Sequence, residues 1–70
     1  MINNEEFKKV CLNISKYRIK NNLSAYELSM QIGKDTSYIS KLENGKVNVT
    51  FSVLVDICNV FKIKVIDLLK

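Results

Sequence analysis

A series of apolar positions in the first third of the chain recurs every three or four residues, which is the spacing that lines one side of a helix. They are Phe7, Val10, Cys11, Ile14 and Tyr17, with Arg18 continuing the same spacing. The pattern predicts a first helix from about Glu5 to Asn21. Asn4 is expected to cap its start, and Asn21 with Asn22 to form the left-handed turn that ends it.

A capping signal predicts where a second helix begins. Ser24 and Glu27 match the capping box, in which each side chain accepts a hydrogen bond from a backbone N–H that the first turn leaves free. Leu28 and Ile32 lie four residues apart, so both are predicted to face inward. Gly33 tolerates a positive φ, so we expect the helix to stop there after barely two turns.

A third helix is predicted to follow almost at once. Asp35 is expected to cap this helix and Gly45 to end it, while Ile39 and Leu42 form its buried stripe. Ser29 lies on the face of the second helix turned toward the third, where a small side chain allows close packing. The connection is so short that the two helices must cross steeply, which is the geometry of a helix-turn-helix.

The segment from Lys46 to Val53 supports two interpretations. Its apolar residues alternate with polar ones, which is typical of a strand, at Val47, Val49, Phe51 and Val53. Helical spacing also starts here and continues through Phe51, Leu54, Ile57, Cys58 and Phe61. Thr50 is a suitable N-cap, and a lone strand would leave its backbone groups unpaired. We therefore predict an extended loop to Val49, a helix from Thr50 to Phe61 and a fifth short helix near Val65 to Leu69.

Length and composition favour one all-α domain over residues 1–70, a compact bundle of five short helices. Apolar residues make up 47% of the chain, with no Pro and two Gly, so few positions interrupt a helix. Cys11 and Cys58 have apolar neighbours and are predicted to be reduced core residues. The chain has no His, no Cys pair at metal-ligand spacing and no activated nucleophile. We therefore expect no catalytic residues, no metal and no cofactor.

Charge and targeting signals restrict the partners of the protein. Eleven Lys and Arg residues against seven Asp and Glu residues give a net charge of +4, which suggests attraction to a polyanion but also suits a soluble surface. The first six residues have neither the basic stretch nor the apolar run of a signal peptide, and no apolar stretch approaches transmembrane length. A cytoplasmic protein with no membrane partner is expected.

The outward side of the third helix carries the candidate chemistry. Polar side chains remain there because Ile39 and Leu42 hold the opposite side to the core; they are Thr36, Ser37, Ser40 and Lys41. An exposed, polar helix start can enter a DNA major groove, which is about 12 Å wide, and bring hydroxyl and ammonium groups to base edges.

A series of features around this segment matches one known family. They are Arg18, Leu23-Ser24, Glu27-Leu28, Gly33, Tyr38-Ile39-Ser40 and Leu42-Glu43-Asn44-Gly45. With these residues the chain strongly resembles the lambda-repressor/Cro-like (XRE) helix-turn-helix family, from Arg18 to about Leu69. The resemblance implies a transcriptional regulator that binds double-stranded DNA.

The resemblance also implies roles for individual residues. Arg18 is expected to form a structural ion pair with Glu43. Asn44, Lys46 and Asn48 are expected to approach a phosphate, a contact that fixes the register of the protein on DNA without reading sequence. For Tyr38 two roles stay open, because its ring could cover the edge of the core or contact a base or phosphate.

Two departures from the family pattern concern DNA contacts. Ala25 stands where the family commonly has a Gln that contacts a phosphate, so a neighbour such as Tyr26 or Lys34 must supply that contact or it is missing. Thr36 and Ser37 are shorter than the Arg or Gln often found in recognition helices. Direct readout is therefore expected to be modest, with DNA deformability contributing.

The C-terminal segment has more apolar residues than one short helix can bury. We predict a two-fold homodimer through the fourth and fifth helices, since an exposed apolar patch on a small domain usually marks an interface. The predicted contacts are Phe61, Val65, Ile66 and Leu69. The alternative is that the surplus folds back on the first helix.

Two classes of function stay open from the sequence. The first is a dimeric repressor or activator that binds a near-palindromic operator and no small-molecule ligand. Within that class, residues 35–40 and 48–50 resemble the controller proteins of restriction-modification systems. The second is an antitoxin or anti-repressor that uses the same fold as a protein-binding adaptor.

Overall fold

The computed structural model describes residues 5–70 and is all-helical over that range. The elements are α1 (Glu5–Lys20), α2 (Ala25–Gln31), α3 (Tyr38–Glu43), α4 (Phe51–Phe61) and a final 3-10 helix, η1 (Val65–Leu69). The all-α prediction is confirmed, and the ambiguous segment before α4 is a loop at residues 46–50. Thr50 is the N-cap of α4, where its hydroxyl accepts a hydrogen bond from the Val53 amide. The predicted cap at Asn4 lies outside the described residues.

The core draws side chains from all five elements. Its buried residues are Val10, Cys11, Ile14, Leu28, Ser29, Ile39, Leu42, Val53, Ile57, Cys58, Phe61 and Leu68. Both thiols are free, as predicted, and burial raises the pKa of each above its ordinary value. α1 packs against α3 and η1, while α2 packs against α3. The helix-turn-helix therefore rests on α1.

The start of α3 differs from the prediction. The helix begins at Tyr38, so Thr36 and Ser37 lie in the turn before it and Asp35 is not its N-cap. The carboxylate of Asp35 instead accepts a hydrogen bond from the Ser37 hydroxyl at 2.6 Å. An Asp side chain readily bonds to groups two residues ahead in a turn, and here that local bond replaces the expected cap.

Two apolar residues occupy different surroundings from those expected. Phe51 shares the helical spacing of the buried residues Ile57 and Phe61, but it is 69% exposed. Val53 is buried instead, and the two positions are about 200° apart around a helix, so they cannot share a face. Phe61, predicted as a dimer contact, lies in the core and stacks on Tyr17 with 5.8 Å between ring centroids.

No helix among residues 5–70 combines the length and apolarity that crossing a membrane requires.

Candidate nucleic-acid interface

The polar side of α3 and of the preceding turn faces solvent. Thr36, Ser40 and Lys41 are exposed and Ser37 is half-buried, whereas Ile39 and Leu42 are completely buried. The two apolar side chains thus attach α3 to the core and leave its opposite side open. The exposed side of α3 is therefore polar, with hydroxyl and ammonium groups open to solvent.

The Ser37 hydroxyl is already engaged within the turn. It donates its proton to the Asp35 carboxylate, and this bond, with a second one from the Ser37 amide, lowers the pKa of Asp35. The lone pairs of the Ser37 oxygen remain available as acceptors. Ser37 is therefore prepared to accept a hydrogen bond from an amino group.

Ser29 joins α2 to the first turn of α3. Its hydroxyl donates to the carbonyl of Ala25 at 2.8 Å and accepts from the amide of Ile39 at 3.0 Å, and the residue is completely buried. Ser37, the N-cap residue of α3, makes no side-chain capping bond. The sequence predicted only that Ser29 is small enough to allow close packing. The bond to the Ile39 amide was missed, although a hydroxyl on the face turned toward α3 could have indicated it.

The ion pair between Arg18 and Glu43 is present, as the family resemblance implies. Nε of Arg18 lies 2.7 Å from Oε2 of Glu43, and the second terminal nitrogen lies 3.1 Å from Oε1. The remaining guanidinium nitrogen donates to the carbonyl of Leu23 at 2.8 Å. The bond to Glu43 is the main cause that raises the pKa of Arg18. This bidentate ion pair connects the end of α1 to the end of α3.

The loop at residues 46–50 lies beside α3. Its first amide, that of Lys46, donates to the carbonyl of Lys41, and the Tyr38 hydroxyl donates to the carbonyl of Asn48 at 3.2 Å. The predicted phosphate contacts Asn44, Lys46 and Asn48 are all exposed. The Asn44 side chain donates to the carbonyl of Ser40 at 2.8 Å, so one of its amide protons is in use.

Three exposed lysines flank this surface, and one exposed carboxylate, that of Asp35, lies within it. Lys34, Lys41 and Lys46 are exposed on the turn, on α3 and on the loop, while Glu43 is paired with Arg18. The ammonium of Lys34 lies 5.3 Å from the centroid of the Tyr38 ring, a cation–π distance. The sequence suggested Lys34 for a phosphate contact, but its position over the Tyr38 ring was not predicted. Residues four apart across a turn have no fixed geometry, so their contact cannot be read from spacing.

Two short helices joined by a tight turn, with an exposed polar side and cationic surroundings, define a helix-turn-helix DNA-binding domain. The model of the family described as Helix-turn-helix matches residues 14–68. The chain belongs to this helix-turn-helix family, with the XRE-like character that its motifs predict.

Comparison with solved structures shows the same fold. The crystal structure of a hypothetical transcription factor, NHTF from Neisseria, superposes with a TM-score of 0.88 over 100% of this chain and 83% of that chain, at 21% sequence identity. No curated protein matches the chain. The family identifies a DNA-binding transcription regulator rather than an enzyme.

Proposed function

We propose that the protein regulates transcription by placing α3 in the major groove of double-stranded DNA and reading the base sequence there. One observation carries this proposal: Ile39 and Leu42 are completely buried, while Ser40 and Lys41 beside them are exposed. A helix anchored along one side presents the other as a rigid surface, and rigidity keeps the contacts with base edges specific.

The candidate contacts divide into two groups by chemistry. The hydroxyl and ammonium groups that face base edges lie on the turn and on α3 and belong to Thr36, Ser37, Ser40 and Lys41. The amide and ammonium groups that face the phosphates lie beyond the end of α3 and belong to Asn44, Lys46 and Asn48. The first group sets sequence preference, and the second sets register and the dependence on salt.

We further propose that the protein binds as a two-fold homodimer through η1. Ile66 and Leu69 are 60% and 44% exposed, and Val65 beside them is half-buried. Two copies joined there would present two α3 helices to successive major grooves, about 34 Å apart, on a near-palindromic site. Membership of the restriction-modification controller proteins, which residues 35–40 and 48–50 resemble, stays a prediction.

Substitutions in the two contact groups test the DNA-binding proposal. Lys46→Ala is expected to weaken binding to all duplexes about equally and to reduce the slope of log affinity against log salt by about one unit. Lys41→Ala and Ser37→Ala are expected to change the sequences recovered by selection from a random duplex pool. Lys9→Ala, an exposed lysine on α1, is the matched control and leaves both properties unchanged.

The proposal fails if none of the three substitutions changes DNA binding. A wild-type protein without salt-dependent affinity for any duplex would favour the protein-binding adaptor instead.

A further inference from the structure

We propose that Tyr38 is a positioning residue: its hydroxyl holds the loop at residues 46–50 in the conformation that presents Lys46 and Asn48 to a phosphate. The inference rests on the proposed function and assigns Tyr38 a different role from the base readout expected of its neighbours on α3.

The hydrogen bond from Tyr38 falls in the middle of the loop. The start of the loop is attached to α3 by the Lys46 amide, which donates to the Lys41 carbonyl, and its end is attached to α4 by the cap at Thr50. Between these points the Tyr38 hydroxyl donates to the Asn48 carbonyl at 3.2 Å. The backbone of Asn48 is thus tied to the first residue of α3.

The side chain of Tyr38 is itself held in place. Its ring packs against the core and is half-buried, and the Lys34 ammonium lies 5.3 Å from the ring centroid. A phenol with the ordinary pKa of about 10 keeps its proton at neutral pH, and burial raises the pKa of Tyr38 further, so its hydroxyl remains a donor. A hydroxyl has one proton to donate, and the Asn48 carbonyl receives it.

This arrangement predicts how binding depends on the hydroxyl. Phosphate contacts require an ordered loop, and a loop ordered before binding loses less entropy when the complex forms. Removing the hydroxyl lets the loop leave this conformation, while the surface of α3 that faces the bases is unchanged. Affinity should therefore fall equally for every sequence.

Tyr38→Phe removes the hydroxyl and keeps the ring. We expect about a threefold to tenfold loss of affinity, equal for a selected duplex and a random duplex, from the loss of one exposed hydrogen bond. In a Lys46→Ala/Asn48→Ala background, which keeps the backbone carbonyl of residue 48, Tyr38→Phe should cause no further loss. Tyr17→Phe, a half-buried tyrosine stacked on Phe61, is the matched control and leaves affinity unchanged.

Thermal unfolding of Tyr38→Phe confirms that the protein is folded under the binding conditions, and NMR relaxation of the free protein should show increased motion at residues 46–50. Three results would overturn the inference. The first is that Tyr38→Phe leaves DNA affinity unchanged. The second is that it changes the ratio of affinities for the selected and random duplexes. The third is that it lowers affinity by the same factor in the Lys46→Ala/Asn48→Ala background as in the wild type. Each requires a wild-type protein that binds DNA, so failure of the proposed function is recognised separately, by a wild-type protein that does not bind.

Discussion

The Ser29 hydroxyl serves two helices at once. α3 has only six residues and no side-chain cap of its own, yet the Ile39 amide in its first turn is buried. Ser29 supplies the acceptor for that amide from the preceding helix. A buried N–H without an acceptor is costly, so this single oxygen sets how α3 starts and how it is placed against α2.

Ser29→Ala should lower the free energy of unfolding by about 1–2 kcal/mol, because Ala keeps the packing but leaves the Ile39 amide without an acceptor. Urea denaturation monitored by circular dichroism measures the change. Ser52→Ala, an exposed serine on α4, is the control and should alter stability by less than about 0.5 kcal/mol. Equal stability of Ser29→Ala and the wild type would show that the bond contributes nothing.

The four α-helices described between residues 5 and 70 end in the same way. The residue after each helix or its cap has a positive φ, and the next amide donates to a carbonyl five residues back, which is the Schellman arrangement. The residues with positive φ are Asn22, Gly33, Gly45 and Lys62. Asn and Gly tolerate this conformation, whereas at Lys62, with φ of 60°, a β-carbon is strained.

Lys62→Gly should raise the free energy of unfolding by about 0.5–1 kcal/mol, since glycine relieves the strain of the left-handed conformation after α4. Thermal and urea unfolding measure the gain. Lys64→Gly is a matched control, because Lys64 has an ordinary φ of −98° and the substitution removes the same charge. A gain of the same size in both variants would assign the effect to charge instead.

α1 connects the two surfaces that the proposed function uses. It reaches α3 through the pair between Arg18 and Glu43. It reaches η1 through Asn13, whose side-chain amide donates to the Leu68 carbonyl at 2.9 Å, and Leu68 itself is completely buried. α1 therefore fixes the position of the proposed dimer surface relative to the proposed DNA surface. In a dimer, this relative position would set the distance between the two α3 helices.

Ile66→Asp and Leu69→Asp should convert the proposed dimer into a monomer, because a charge at an apolar interface must be desolvated. Sedimentation velocity measures the change, and affinity for a two-half-site duplex should fall with it. Leu12→Asp, at a residue 56% exposed on α1, is the control and should sediment as the wild type does. Variants at Ile66 and Leu69 that still sediment as dimers would exclude η1 as the interface.

Most of the fold could be predicted from the order of the amino acids. Residue spacing located the helices, and local capping chemistry located the start of α2 at Ser24 and of α4 at Thr50. Glycine at positions 33 and 45 located the ends of α2 and α3. These features could be predicted because each depends on residues within one or two turns of the chain. The pair between Arg18 and Glu43 came from family resemblance, not from spacing.

Hydrogen bonds and burial that involve residues far apart in the chain could not be predicted in this way. The bond from the Ile39 amide to the Ser29 hydroxyl and the bond from the Tyr38 hydroxyl to the Asn48 carbonyl each span ten residues, so neither follows from a local pattern. The exposure of Phe51 and the burial of Phe61 were decided by how far the core extends along α4. A periodic pattern shows which residues share a face, but neighbouring elements determine how much of that face they cover.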